Sequence, residues 1–387
     1  MLSESVPFYP LYALLFADVG LSDAEISWLF VAWSVTGILA EVPSGALADR
    51  FSRRGSMALG GLAQASAYVL WTAWPGFTSF ALGFVLWGVG GALVSGAMEA
   101  LLYDGLSAVG AAEKFGRFYG QLDAIQLAAN VPAAVAATTL FAAGGFSLVG
   151  WVSVGVCAAA AVSAACLPEP PRAQPDSPEE VGQPDSYVGV LRAGAVEALT
   201  NPVLRGAVTA VALLTSLDAM EEYFGLLARD WGVPTQWIPA AVVGIPIAGA
   251  LGSVWAGRLT HVRPSTLASL FGAAVGVFAV AVLVGQTGGL VGVAVFYATY
   301  RAVLVVANTW VQERIRGGER ATVTSFVGLG TELACMLVYA AWALGQADAV
   351  VVLSVAIALF LPYGLRRPGP PRRNRPLWTM TARERAR

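Results

Sequence analysis

Apolar runs of roughly twenty residues, each enough to cross a bilayer as one helix, recur from one end of this chain to the other. Residues 264–284 form such a run and contain no charged side chain. A soluble protein carries charge on roughly a quarter of its residues. Of these 387 residues, 12% are charged and 57% are hydrophobic. That is too little charge to coat a water-facing surface of this size. The chain therefore reads as an all-α integral membrane protein, since a helix satisfies its own backbone groups where no water reaches.

Twelve spans are predicted, from 4–20 and 26–46 through to 321–343 and 347–365. The first is the weakest, because it is short and contains Pro7 and Pro10. Either that helix is pinched or the true start lies upstream. No cleavable signal peptide is expected, as the amino end lacks a basic region. Basic residues set the orientation. Arg50, Arg53 and Arg54 follow the second span, Lys114 and Arg117 the fourth, Arg258 and Arg263 the eighth, and Arg314, Arg316 and Arg320 the tenth. The other face has only Arg229. The positive-inside rule then places both termini in the cytoplasm, which an even span count requires. Trp71, Trp74, Trp151, Trp231 and Trp237 fall near the exterior ends and read as interfacial anchors.

Residues 168–200 divide the chain, with Pro168, Pro170, Pro171, Pro175, Pro178 and Pro184 among acidic and polar neighbours. Four segments result: a six-helix unit over 1–167, a cytoplasmic linker over 168–200 with an interfacial amphipathic helix at 188–199, a second six-helix unit over 201–366, and an arginine-rich tail over 367–387 that lies against anionic headgroups. Ala48-Asp49-Arg50 is echoed by Ala256-Gly257-Arg258, and Phe115-Gly116-Arg117 by Gly318-Glu319-Arg320. Such matched positions suggest a duplicated unit, as in many secondary carriers.

Gly45, Asp49, Arg50, Arg53 and Arg54 sit between the second and third spans in a spacing that resembles the loop-2/3 signature of the major facilitator superfamily. The run Glu99–Asp104, followed by Phe115, Gly116, Arg117 and Gly120, resembles a bacterial branch of that family. The resemblance implies a twelve-helix fold of two pseudo-symmetric six-helix bundles in a bacterial cytoplasmic membrane. It also implies secondary transport by alternating access, with Gly45, Asp49, Arg50, Arg53 and Arg54 as a gating latch. Proton-coupled efflux of small amphipathic molecules, hence antiport, is the commonest expectation. Two departures limit it. Residues 83–88 lack the arginine of a fourth-span motif, and the surroundings of Pro132 match the exporters' glycine-proline motif poorly. The alternative is uptake of a small anionic metabolite, which Arg301 would suit; a third reading is a non-transporting membrane sensor.

Charged and polar residues inside apolar runs mark candidate pathway positions, because such groups are costly against lipid. Asp123, Gln126 and Asn130 share a face of the fifth span with Tyr119 one turn away, at spacings of three and four. Asp123 could instead be an interfacial acid paired with Arg117 or Arg54. Glu99 lies one turn beyond Ser95 near the inner end of the fourth span, and it too could serve only to hold a helix end. Asp218, Glu221 and Glu222 cluster in the seventh span, where Asp218 and Glu222 are the pathway candidates; Glu221 and Glu222 could equally lie at the headgroups. Arg301 and Glu332 stand at comparable depth in the tenth and eleventh spans, about 12 and 16 Å from the inner end. They read as a buried pair, functional or purely structural.

The expected partners are a small-molecule substrate, a coupling proton and the lipid bilayer, with no nucleic acid and no cofactor, and one chain working as a monomer. An enzyme is not expected. The lone histidine, His261, is in a loop, and Cys157, Cys166 and Cys335 have no ligand-like spacing.

Overall fold

The computed structural model describes residues 6–50, 52–169, 202–259, 261–314 and 320–366, all helical or in short turns. The linker beyond Glu169, its amphipathic helix at 188–199 and the tail at 367–387 lie outside the described residues. The elements are α1 (Tyr12–Asp18), α2 (Asp23–Arg50), α3 (Arg53–Ala73), α4 (Phe77–Ala108) and α5 (Phe115–Ala165). After the linker come α6 (Pro202–Thr215), a 3-10 segment (Ser216–Tyr223), α7 (Phe224–Asp230), α8 (Ile238–Val242) and α9 (Gly244–Trp255). The chain ends with α10 (Pro264–Val284), α11 (Gly289–Arg314) and α12 (Arg320–Gly364). Seven helices among the described residues are long and apolar enough to cross a membrane.

Local chemistry explains the boundaries. At the start of α2 the Ser22 amide donates to Glu25 Oε2 at 2.8 Å and the Glu25 amide to Ser22 Oγ at 3.3 Å, a reciprocal capping box. Ser52 Oγ caps α3 by accepting from the Gly55 amide at 3.0 Å. Run straight, the 51 residues of α5 would extend about 76 Å, more than twice a bilayer core. It is instead two legs joined at Gly144 and Gly145, the latter at φ 60°, where a side chain would be strained. α12 is likewise two legs, joined at Gly345 and Gln346.

The first predicted span is the main departure. It yields only the seven-residue α1, entered through turns at residues 7–11. Pro7 and Pro10 lack amide donors and cannot extend the helix backward. The Phe8 amide bonds to Ser153 Oγ at 3.1 Å instead.

The helices before the linker pack on one another, α3 along α4 and α5, and α2 along α4. Those after it do the same, α9 and α10 against α11, and α6 and α10 against α12. α2 against α12, α5 against α8 and α1 against α7 join the two groups. Helix backbones approach closely at several glycines, as expected where helices associate without a hydrophobic driving force. A Cβ on Gly60 would sit 2.6 Å from the Gly90 carbonyl, and one on Gly90 would sit 2.7 Å from the Gly60 carbonyl. Gly45, expected to allow such an approach, makes none in this conformation, since its Cβ would meet no atom within 4 Å.

Two expected interfacial tryptophans are core residues. Trp71 is 1% exposed, in a cluster with Tyr12, Phe16, Tyr68, Phe80 and Phe84, and its Nε1 donates to the Phe80 carbonyl at 3.2 Å. Gly83 makes the room, because a Cβ there would fall 2.0 Å from that nitrogen. Trp231 is 9% exposed, whereas Trp74, Trp151 and Trp237 are exposed. A ring near a helix end is buried when a facing glycine admits it, which hydropathy alone does not register.

Candidate functional site

The site begins where α6 tightens into the 3-10 segment Ser216–Tyr223. Three residues per turn bring positions i and i+3 into register. Asp218 and Glu221 therefore project the same way, toward α11, while Glu222 is turned away from them. On α11, Tyr297 and Arg301 are four residues apart and share a face. The Tyr297 hydroxyl lies 2.8 Å from Asp218 Oδ1 and also hydrogen-bonds Glu221. Arg301 donates to both Asp218 oxygens, at 2.9 and 2.8 Å. Both members of that ion pair remain about one-third exposed, Arg301 at 35% and Asp218 at 34%. Glu222 accepts from the Tyr9 hydroxyl at 3.2 Å, across the join between the two helix groups.

The room for Tyr297 and Arg301 comes from α9. A Cβ on Gly249 would lie 2.7 Å from the Tyr297 ring and 3.1 Å from Arg301 Cγ, and one on Gly252 would lie 1.9 Å from the Ala298 carbonyl. Gly252→Ala must push α9 off α11 and should destabilise the fold by about 1–3 kcal/mol, as overpacking does. Gly272→Ala, where a Cβ meets no atom within 4 Å, should leave stability unchanged or raise it slightly. Thermal unfolding of both variants in one detergent checks this; equal midpoints would disprove the tight crossing.

A central cavity of about 460 Å³ lies between the groups, bounded by Trp33, Ser34 and Glu41 of α2, the three acids of the 3-10 segment, and Glu332, Cys335 and Tyr339 of α12. It reaches Ser95 of α4. A second chamber of about 80 Å³ lies on the other side of Glu221 and Glu222, with Tyr9, Asn130 and Pro239 in its wall. The two glutamates thus line both spaces. A larger cavity of about 740 Å³ opens among α3, α4 and both legs of α5, but its walls are apolar, with Glu169 the one acid.

The two ends of the bundle differ. At the end near the arginine-rich turn after α2, Arg53 donates to the Ala100 carbonyl at 2.8 Å and pairs with Asp104, and Arg54 pairs with Glu169 at 3.5 Å. These contacts join helices of one group. At the opposite end the contacts join the two groups. Asp23 accepts from Trp342 Nε1 at 3.3 Å and from Gln346 Nε2 at 2.6 Å, Arg229 pairs with Asp18 at 3.4 Å, and the Ser27 and Tyr223 hydroxyls are 2.8 Å apart.

The structure corrects the expected partner of Arg301. It pairs with Asp218, not Glu332, because α11 packs on α6 and the 3-10 segment turns Asp218 toward it. Depth along a helix fixed the height of Arg301 and Glu332 but not their direction around the axis. Glu332 faces the central cavity beside Ser34 and within electrostatic reach of Glu41. Glu99 accepts from the Tyr119 hydroxyl at 2.8 Å. Asn130 lines the small chamber, and Gln126, half-buried, borders none of the three cavities. The side chains of Asp49, Arg50 and Asp123 lie outside the described residues. Sequence reasoning ranked Glu221 below its neighbours and passed over Glu41 and Asp23. The i, i+3 spacing of Asp218 and Glu221 was the available signal for the first.

Residues 1–339 match the Major Facilitator Superfamily. No curated protein matches the sequence. Among solved structures, the nucleoside transporter NupG is similar with a TM-score of 0.70 at 13% identity, covering 95% of this chain and 98% of that one. A D-xylose–proton symporter gives 0.66 at 12% identity over 93% and 94%. An auto-inhibited POT family peptide transporter gives 0.61 at 14% identity over 94% and 93%. At these identities the likeness is one of fold.

Proposed function

The chain belongs to the Major Facilitator Superfamily, a transport protein and not an enzyme, and from that premise we propose that it is a proton-coupled carrier for uptake of a small polar solute by alternating access. Twelve crossings in two six-helix bundles, 1–167 and 201–366, support the exchange of access between faces. The two-legged α5 and α12 favour that count. The arginine distribution favours both termini and residues 168–200 in the cytoplasm of a bacterial cell. The proposed working unit is a single chain.

The observation that carries proton coupling is the Tyr297 hydroxyl lodged between Asp218 and Glu221. A hydroxyl has one proton and donates to one carboxylate at a time. The other acid completes the network only by carrying a proton of its own, so the site is built to take one up. Arg301 holds Asp218 meanwhile, and protonation of Asp218 would loosen that pair.

Uptake is favoured over efflux, since the similar solved structures include a named proton symporter. The anionic class of substrate is less well supported. Arg301 is already engaged, and Glu41, Asp218, Glu221, Glu222 and Glu332 all line the cavity. A neutral or cationic solute suits that lining better, with Trp33 and Tyr339 offering aromatic faces. For the turn after α2, the proposed role is a latch. Gly45, Asp49 and Arg50 would dock against the second bundle when the cytoplasmic end closes, and Arg53 and Arg54 anchor the turn to Asp104 and Glu169.

Vesicles loaded with a pH dye and given uridine, D-xylose, dialanine or choline in turn test the proposal. At least one solute should acidify the lumen as it enters. Alkalinisation on solute entry, or no proton movement with any of them, would overturn the symport reading.

A further inference from the structure

The acids around the central cavity fall into two sets. Asp218 is answered by Arg301, Glu221 by the Tyr297 hydroxyl and Glu222 by the Tyr9 hydroxyl. Glu41 and Glu332 have neither a basic nor a phenolic partner among the described residues. Glu332 stands beside Ser34 and within electrostatic reach of Glu41, and the two carboxylates come from opposite helix groups, on α12 and α2. No basic side chain among the described residues lines the cavity. Like charges so placed repel, and a cation between them relieves both.

Resting on the carrier reading above, we propose that the transported solute is a small organic cation, its positive group held between Glu41 and Glu332 and its flank against the Trp33 ring. The walls are arranged for this. Ser34, Ile38 and Glu41 recur at spacings of four and three along α2, and Glu332, Cys335 and Tyr339 at three and four along α12, so each set shares a face. Trp33 is half-buried and braced by Phe84 and Trp87, with ring centroids 6.0 and 6.1 Å away. Indole is the best aromatic partner for an ammonium group. Gly37 and Gly91 border the same space, and a Cβ on either would meet no atom within 4 Å.

Size and spread separate an organic cation from a metal ion. The cavity's 460 Å³ falls within the range of small-molecule pockets, roughly 300–1,000 Å³. Among the described residues no three acidic, thiol or imidazole groups converge as a metal ion requires. The two sets of acids also divide the work. The solute's charge rests on Glu41 and Glu332, while the coupling proton belongs to Asp218 and Glu221, so neither displaces the other.

Equilibrium binding to the purified full-length carrier, with no pH gradient, tests this. The probes are choline, butylammonium and phenethylammonium, each set against an uncharged analogue of like shape. At least one cation should bind more tightly than its analogue by about tenfold or more. Glu332→Gln and Glu41→Gln should each remove that preference while leaving the analogue's affinity unchanged. Trp33→Leu should weaken the cation about 2- to 5-fold. Neither glutamine orphans a base, so both variants should unfold at the wild-type temperature. No preference for any cation, a preference that both glutamine variants keep, or tighter binding of Mn²⁺ than of any organic cation would overturn the assignment. Loss of the preference with solute-driven acidification intact would sink the cation and spare the symporter. Cation binding at these two acids with no proton movement would do the reverse.

Discussion

Asp218→Asn should abolish proton-driven transport and destabilise the folded carrier by about 1–3 kcal/mol. Removing one member of a fully buried pair costs about 3–5 kcal/mol. The Arg301–Asp218 pair is about one-third exposed to the cavity, so water screens part of that loss. The single change leaves Arg301 without its carboxylate partner and frees Tyr297 to bond Glu221 alone. Arg301→Gln should destabilise comparably, with Asp218 as the orphan. The double variant Asp218→Asn with Arg301→Gln removes both charges and should recover most of the stability, as replacing a whole pair often does. Driven transport should not return, because Tyr297 then faces a single carboxylate and no second acid has to take up a proton to complete the network. Expression, thermal unfolding and gradient-driven solute entry in all three variants measure this. Recovery of driven transport in the double variant would make the pair merely structural, and normal behaviour in every variant would remove it from the pathway.

The second large effect concerns access. Asp23→Ala removes the acceptor for both Trp342 Nε1 and Gln346 Nε2. Hydrogen bonds to a charged group contribute roughly 1.5–3 kcal/mol each, and less where one is solvent-exposed, as the Gln346 bond is. Gln346 adds to the effect, since it is a non-glycine residue at φ 50°, a conformation that costs about 1–3 kcal/mol and persists only while its surroundings hold it. A net loss of about 1–3 kcal/mol moves the balance between access states roughly 5- to 150-fold toward opening at this end. Spin labels at Phe77 and Gln236, with Cys157, Cys166 and Cys335 replaced, would report the distance across that end. A second, longer distance population should appear in Asp23→Ala, and a distribution identical to wild type would show that the clasp does not set the equilibrium.

The membrane fold was legible because its signal is additive. Every uncharged run such as 264–284 argues alone for a helix, and the arginines between runs repeat one orientation. The acids Asp218, Glu222 and Glu332 were legible as pathway candidates for a similar reason, since each is expensive in lipid. Partnership was not. Arg301 and Glu332 matched in depth, but a partner also depends on rotation about the helix axis, and the switch from α to 3-10 at Ser216 resets that rotation. The same switch separates Glu222 from Asp218, which an α-helical reading puts on one face. Burial of Trp71 depended on Gly83 twelve residues away in the next helix, a fact of packing with no local trace. Asp23 drew no notice because it stands at a helix start, where an acid is already explained by the helix dipole.

The reversals in α5 and α12 bear on how the chain enters the membrane. Gly144 with Gly145, and Gly345 with Gln346, leave no polar loop between the legs they join. With so short a connection on that face, the two legs of each pair are expected to enter the bilayer together as a hairpin. A polar insertion at either reversal would therefore be felt first as a delay in biogenesis, before any loss of transport by the finished carrier.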